Sequence, residues 1–420
     1  MTSIPLAASP ARVRASHLFT LVALYVAQGL PYGFATTFLP IELAHRADFS
    51  YAKTSAFHLA ALPWFLKLLW APSTDARYSP RLGRRRSWIL PAQGLLSVTA
   101  FAAAGLDLQG PLWPVFAVVA LFNLWSAVQD TAVDGLAVEL LGDRERGLGN
   151  AAQVGGYKVG MLLGGSGLVF VASQLDTSWA IGTLGLMVAA LMVVPLTYRE
   201  PPPTVVVESV HHHGKAAMAR LREILSGRGW LPTLLFIGTV KMGETMVAAV
   251  LKPWLVRDAG FSDARAAFVV GVVGGTLSLA ASVVGGWLAG VYGRRRLMPL
   301  LGLVQSFAVL ALGLAVWGNA GESWLVVAIA LEHMAVGLLT PVLFAWMMDV
   351  TDPTIGATHY TLLATTELLA KTLAAIFAGP LCDRLGVPVL LLLAGSVGAL
   401  PLALWPWTRT TATDEASTPV

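Results

Sequence analysis

Asp130 and Asp134 stand four residues apart in QDTAVDG, near the end of an apolar run that begins at Leu112. On a helix that spacing puts both carboxylates on one face. The two repel if both ionise, so either one holds a proton or a cation lies beside them. A carboxylate inside a bilayer is costly enough that it reads first as a paired or functional group. The nearest cations in sequence are Lys158 and the arginines of GDRERG at 142–147. A charge-paired gate, a helix-end anchor and a proton or substrate contact all fit this pattern.

Other apolar runs carry similar groups. Lys241 and Glu244 at i,i+3, and Glu367 and Lys371 at i,i+4, can each close as an ion pair within one helix. Glu332 and His333 set a carboxylate beside an imidazole that titrates near neutral pH. Adjacent helical residues point about 100° apart, so one of those two is expected to face a cavity. At about 1.5 Å per residue, Lys67, Glu244 and Glu367 fall near mid-membrane and Asp130 and Asp134 towards one side. Asp130, Asp134, Glu244, Glu332, His333 and Glu367 are therefore the candidates for proton coupling or gating. Gln28, Tyr32, Asn123, Trp125, Gln129, Gln153, Tyr157, Lys158 and Lys241 are the candidate cavity lining. Their mixture of amides, aromatic rings and ammonium groups suits a sizeable polar organic solute with an apolar part.

The chain is not expected to be an enzyme or to need a cofactor. It contains no His-Glu-x-x-His, no Gly-x-Ser-x-Gly, no Cys/His metal spacing and no phosphate-binding loop. Three consecutive histidines, His211 to His213, lack the geometry of a fixed metal site, and Cys382 has no second cysteine to pair with.

The elements that must position these residues follow from composition. With 56% hydrophobic and 12% charged residues in 420, and a mean hydropathy of +0.68, the chain is a polytopic membrane protein. Runs long enough to cross about 30 Å of hydrocarbon fall near 18–43, 54–74, 88–107, 112–139, 150–173, 178–197, 231–256, 264–290, 297–317, 324–349, 358–381 and 386–407. These predict twelve spans, in units 1–197 and 231–420 joined by the polar linker 198–230. The first run is too long for a signal-peptide core and lacks a cleavage site, so it reads as an uncleaved span. Eighteen of the 28 lysines and arginines fall on one side of this arrangement, five on the other and five within spans. By the positive-inside rule the linker and both termini are cytoplasmic. Net charge is only +4, with no nucleic-acid stripe. LGRRRSW at 82–88 recurs as YGRRRLM at 292–298, half a chain later, which predicts two parallel six-span repeats. Within the spans, Gly156, Gly160 and Gly164, and Gly271 and Gly275, have the spacing that lets helix backbones approach. Gly29, Pro31 and Gly33 predict a bend or a packing kink.

Twelve spans, a central linker and a Gly-Arg-Arg-Arg loop after spans 2 and 8 resemble the major facilitator superfamily over almost the whole chain. LYVAQGLPYGF, ALPWFLKLLWAPSTD, QDTAVDGLAVELL and ERGLGNAAQVGGYKVGMLLGG resemble its AmpG-like permeases, the branch that includes acetyl-CoA transporters. They are also similar to RhtX/FptX-type siderophore importers. The resemblance implies an all-α fold of two pseudo-symmetric six-helix bundles whose spans 1, 4, 7 and 10 line the cavity. It further implies alternating access and proton-coupled uptake of a muropeptide, or alternatively an iron-siderophore, across a bacterial inner membrane. A monomer in the lipid bilayer is expected, with a non-transporting sensor or partner protein as the reading from another class.

The family's span 2–3 motif would form a cytoplasmic gate from Asp75, Gly83, Arg84, Arg85 and Arg86, and its repeat from Gly293, Arg294, Arg295 and Arg296. The motif is imperfect in both halves. Gly290 stands at the acidic position of the second, so the gate is expected to depend on Asp75. GPLCDRLG at 379–386 matches the pattern better, yet falls on the opposite side, and reads as a chance match.

Overall fold

The computed structural model describes residues 15–140, 146–200, 219–352 and 355–409. Beside a short helix at 219–225, these group into twelve longer helical runs. In the first half they are α1 (Ser16–Ala44), α2 (51–76), α3 (Arg86–Ala103), α4 (Leu112–Leu140), α5 (146–174) and α6 (Thr177–Thr197). In the second they are α7 (Trp230–Arg257), α8 (Asp263–Tyr292), α9 (Arg294–Trp317), α10 (Glu322–Asp349), α11 (Gly356–Leu385) and α12 (Val387–Trp407). Among the described residues, ten helices are long and apolar enough to cross a membrane. The other two segments predicted as spans, α2 and α3, are helical but less suited to lipid. A 3-10 stretch at Ala56–Ala61 breaks α2, which also carries Lys67 and Asp75, and α3 holds only 18 residues, with Gln93 and Ser97 buried.

Small residues set the closest packing. A Cβ on Gly29 or Gly33 of α1 would strike backbone carbonyls of Tyr157 or Met161 in α5. One on Gly160 or Gly164 would strike those of Val26 or Leu30. The two helices thus meet backbone to backbone, the arrangement by which helices associate in lipid without a hydrophobic driving force between them. A π-turn at Phe34–Phe38 follows Pro31, where the proline ring has removed a helical hydrogen bond. In α8 the predicted pair separates. Gly271 packs on Ser166, whereas Gly275 faces open space and the other close approaches come from Gly274 and Gly285. The reason is a π-turn at Phe268–Gly274, which shifts the helical phase and rotates Gly275 off the contact.

The repeated arginine loops are built alike. Gly83 and Gly293 adopt φ +101° and +81°, backbone that a side chain strains, and each precedes the third helix of its half. Arg86 donates to the carbonyls of Pro195 (2.7 Å) and Leu196 (3.0 Å) at the end of α6. Arg295 likewise donates to the Arg409 carbonyl (3.0 Å), just beyond α12, and lies over the Trp405 ring. Arg294 pairs with Asp349 at the end of α10. Glu200 receives the backbone N–H groups of Arg85 and Arg86 (2.8 and 3.1 Å), a carboxylate at a helix N-terminus. Arg84 and Arg85 are buried. These contacts of Arg86, Arg294 and Arg295 tie helices within one half. The side chain of Asp75, the GDRERG loop and His211 to His213 lie outside what is described.

Candidate functional site

Asp130 of α4 is neutralised from α2, 63 residues away: Lys67 Nζ lies 3.1 Å from its carboxylate. Asp134 accepts the Tyr25 hydroxyl of α1 (3.1 Å) and the Gln153 amide of α5 (3.5 Å). The two carboxylates share a helix face yet have separate partners, which relieves their repulsion. Lys158, offered as a partner from sequence proximity, points instead into the second half and meets Ser278 Oγ of α8 at 3.4 Å. Sequence distance misled there because α2 crosses α4 in space.

In the second half, Lys371 and Glu367 close as predicted within α11 (3.0 Å). Lys241 lies 3.3 Å from Glu244 and also donates to Thr340 Oγ1 of α10 (3.0 Å). Glu332 and His333 depart from expectation: they approach to 2.7 Å and line the same cavity, of about 80 Å³, together with Glu244 and Lys252. Their Cα–Cβ directions do diverge, but both side chains are long enough to bend back to one space. Lys252, absent from the predicted site, is the group that sequence reasoning missed. Its signal was a lysine inside a span with no acid three or four residues away.

The predicted lining divides. Tyr32 and Tyr157 pack ring to ring, with centroids 5.5 Å apart, and Tyr32 remains 42% exposed at the centre of α1. Asn123 is a structural tie, receiving the Trp64 indole N–H (2.9 Å) and donating to the Val119 carbonyl (2.9 Å). Gln129 donates to the Leu24 carbonyl at 3.5 Å, and the Gln28 amide nitrogen is buried without a partner among the described residues. Trp125 faces a separate apolar groove of about 470 Å³ that runs past Arg77 and Trp88 at the arginine-rich face.

The opposite, arginine-poor face joins the halves. Asp383 accepts from Ser50 Oγ (2.8 Å) and from the backbone N–H groups of Tyr51 (2.9 Å) and Ala52 (2.9 Å), so it caps the start of α2 from the end of α11. Tyr51 donates its hydroxyl to Asp258 (2.6 Å), His45 meets Asp263 (2.9 Å), and Arg257 donates to the Ala44 carbonyl (2.9 Å). Beside this clasp, the hydrogen bond from Arg46, then that from Lys53, holds the Asp48 carboxyl well below its ordinary range. Asp383 belongs to GPLCDRLG, read from sequence as a chance match. In space it is an inter-half contact of the helix-capping kind the motif was expected to make. Deeper between the halves, Ser55 donates to the Ile376 carbonyl (3.2 Å), Ser166 to the Ala267 carbonyl (2.8 Å) and Lys158 to the Ser278 hydroxyl (3.4 Å).

The Major Facilitator Superfamily model matches residues 21–358. The Anhydromuropeptide permease of Escherichia coli (strain K12) is 29% identical over 340 residues, which span 77% of this chain and 65% of that one. An uncharacterized protein of Haemophilus influenzae is 29% identical over 369 residues, 85% of this chain and 86% of the relative. Among solved structures, a D-xylose-proton symporter superposes with a TM-score of 0.71 at 15% identity, covering 94% of this chain and 99% of its own. An inward-facing, unoccupied bacterial homolog of the human lysosomal transporter Spinster gives 0.72 at 14% identity, covering 94% and 97%. Such identities carry the fold alone, whereas the family match spans most of the helices above. This chain is a multi-pass membrane transporter and belongs to the Major Facilitator Superfamily.

Proposed function

We propose that the protein imports an anhydromuropeptide-like organic solute by proton-coupled alternating access across a bacterial inner membrane. Residues 1–197 and 231–420 are the two rocking six-helix bundles, and 198–230 is their cytoplasmic linker. The protein works as a monomer with both termini cytoplasmic. The observation that carries alternating access is the clasp at the arginine-poor face: Asp383, Asp258 and Asp263 of the second half hold Ser50, Tyr51 and His45 of the first. With the arginine-rich face cytoplasmic, that clasp makes this state closed on the outside. The solute class rests on the permease relative, which favours the muropeptide over the siderophore.

Proton coupling needs a titratable group at the midplane, reachable from each side in turn. Glu332 and His333 suit this role because they share a cavity large enough for water and lie beside Glu244 and Lys252. Asp130 with Lys67, and Glu367 with Lys371, are closed pairs whose main role is to position α2, α4 and α11.

The test is uptake of labelled anhydromuropeptide into proteoliposomes with and without an inward proton gradient. Wild type should concentrate the solute only with the gradient. Glu332→Gln should lose concentration while keeping solute counterflow, which needs no net proton movement. Absence of uptake by folded, inserted protein would discard the solute, and gradient-independent accumulation would discard the coupling.

A further inference from the structure

Five lysines and five acids lie inside the helices at membrane depth: Lys67, Lys158, Lys241, Lys252 and Lys371, against Asp130, Asp134, Glu244, Glu332 and Glu367. Three of each are joined in pairs, Lys67 with Asp130, Lys241 with Glu244 and Lys371 with Glu367. Asp134 is held by Tyr25 and Gln153, and Glu332 by His333. Lys252 has Glu332 and Glu244 around the same cavity. Lys158 is left. Among the described residues no carboxylate lies within ion-pair distance of it, and a single 3.4 Å contact to the Ser278 hydroxyl engages an ammonium that carries three donors.

Its location gives this imbalance a use. Lys158 projects from α5 of the first half and reaches Ser278 of α8 in the second, and the charges of Lys241 and Glu244 of α7 act on it. Its ammonium therefore sits at the boundary between the bundles with no carboxylate of its own among the described residues. Holding an under-compensated ammonium away from water is unfavourable, and a carboxylate bound there offsets that cost with a charge-assisted hydrogen bond.

We infer that Lys158 is the docking point for a carboxylate of the transported solute at the boundary between the two halves. The inference rests on the transport reading above and adds to it the group by which the solute is recognised. Lys158 is thus a specificity-determining residue: acids are accepted, and their uncharged esters are not.

The experiment is peptide-resolved mass spectrometry of lysine acetylation on the purified full chain. It compares no addition, an anhydromuramoyl tripeptide, its methyl ester, N-acetylmuramate and citrate. At least one acid should slow acetylation of Lys158 by about 5-fold or more, equivalent to roughly 1 kcal/mol of occupancy. The methyl ester should not, and Lys53 in the first turn of α2 should be unaffected. Protection by none of the acids, or equal protection by acid and ester, overturns the site. The uptake arm uses variants. Lys158→Met should raise KM for the tripeptide roughly 10- to 100-fold, the range for losing a hydrogen bond to a charged group. Lys158→Arg should keep the preference for acid over ester. If citrate or N-acetylmuramate protects Lys158 while the tripeptide is neither bound nor transported, the anion site stands and the muropeptide reading falls. If the tripeptide is transported with an unchanged KM in Lys158→Met, the transport reading stands and the site falls.

Discussion

Lys67 and Asp130 meet from different helices, and that contact explains how α4 tolerates a carboxylate at membrane depth. Removing the lysine leaves the acid buried with its desolvation uncompensated, whereas removing both charges removes the problem. The lysine side chain is 35% exposed, so solvent moderates the effect. Lys67→Met should lower stability by about 1–3 kcal/mol, and Lys67→Met combined with Asp130→Asn should recover most of the loss. Denaturant unfolding in lipid–detergent micelles checks this, and equal instability of the single and double variants would contradict it. The presence of buried charge was legible in the sequence; the pairing was not. An i,i+4 partner such as Lys371 for Glu367 can be read along one helix, but Asp130 takes its partner from 63 residues away.

At the scale of elements, the seam between α1 and α5 depends on the missing side chains of glycines on both helices, Gly29 and Gly33 against Gly156, Gly160 and Gly164. Gly160→Leu would force its Cβ into the Val26 carbonyl and the Gly29 backbone, which cannot yield as a side-chain tip can. The expected cost is at least about 1–3 kcal/mol, read as loss of the monodisperse peak in size-exclusion chromatography. Gly275→Ala, four residues after Gly271 but facing open space, should be neutral or stabilising by up to about 1 kcal/mol. The four-residue spacing foretold both as packing glycines. It failed for Gly275 because the π-turn before it changes the phase that a uniform 3.6-residue helix would keep.

At the scale of the whole molecule, the proposed alternating access makes the clasp at the arginine-poor face the contact that sets which state is populated. Asp383 contributes three hydrogen bonds from a single carboxylate to the other half, and these must break before the bundles can part on that side. Asp383→Asn keeps the shape but removes the charge that strengthens them. It should shift the equilibrium towards the state open at that face by roughly 10-fold or more, the equivalent of about 1.5 kcal/mol. In a Cys382→Ala background, Ala52→Cys, whose side chain takes no part in the clasp, should then react correspondingly faster with a membrane-impermeant thiol reagent from that side. An unchanged rate would show that Asp383 does not set the balance. The same variant should bind solute more weakly from the arginine-rich face, since fewer molecules present it.

Composition and the order of apolar runs determined the membrane setting and the all-α class, because the cost of unsatisfied backbone in lipid leaves a hydrophobic chain of this kind little choice but helices. The 210-residue recurrence of Gly-Arg-Arg-Arg likewise placed the two loops that brace each half, since each needs only local backbone and the neighbouring helix ends. Tertiary structure alone decided which charges meet, that Glu332 and His333 share one cavity with Lys252, and that GPLCDRLG clasps the start of α2. Those contacts join residues from tens to hundreds of positions apart. A carboxylate or ammonium carries no mark in sequence of the helix that will bring its counter-charge, so the pairing exists only once the helices have packed.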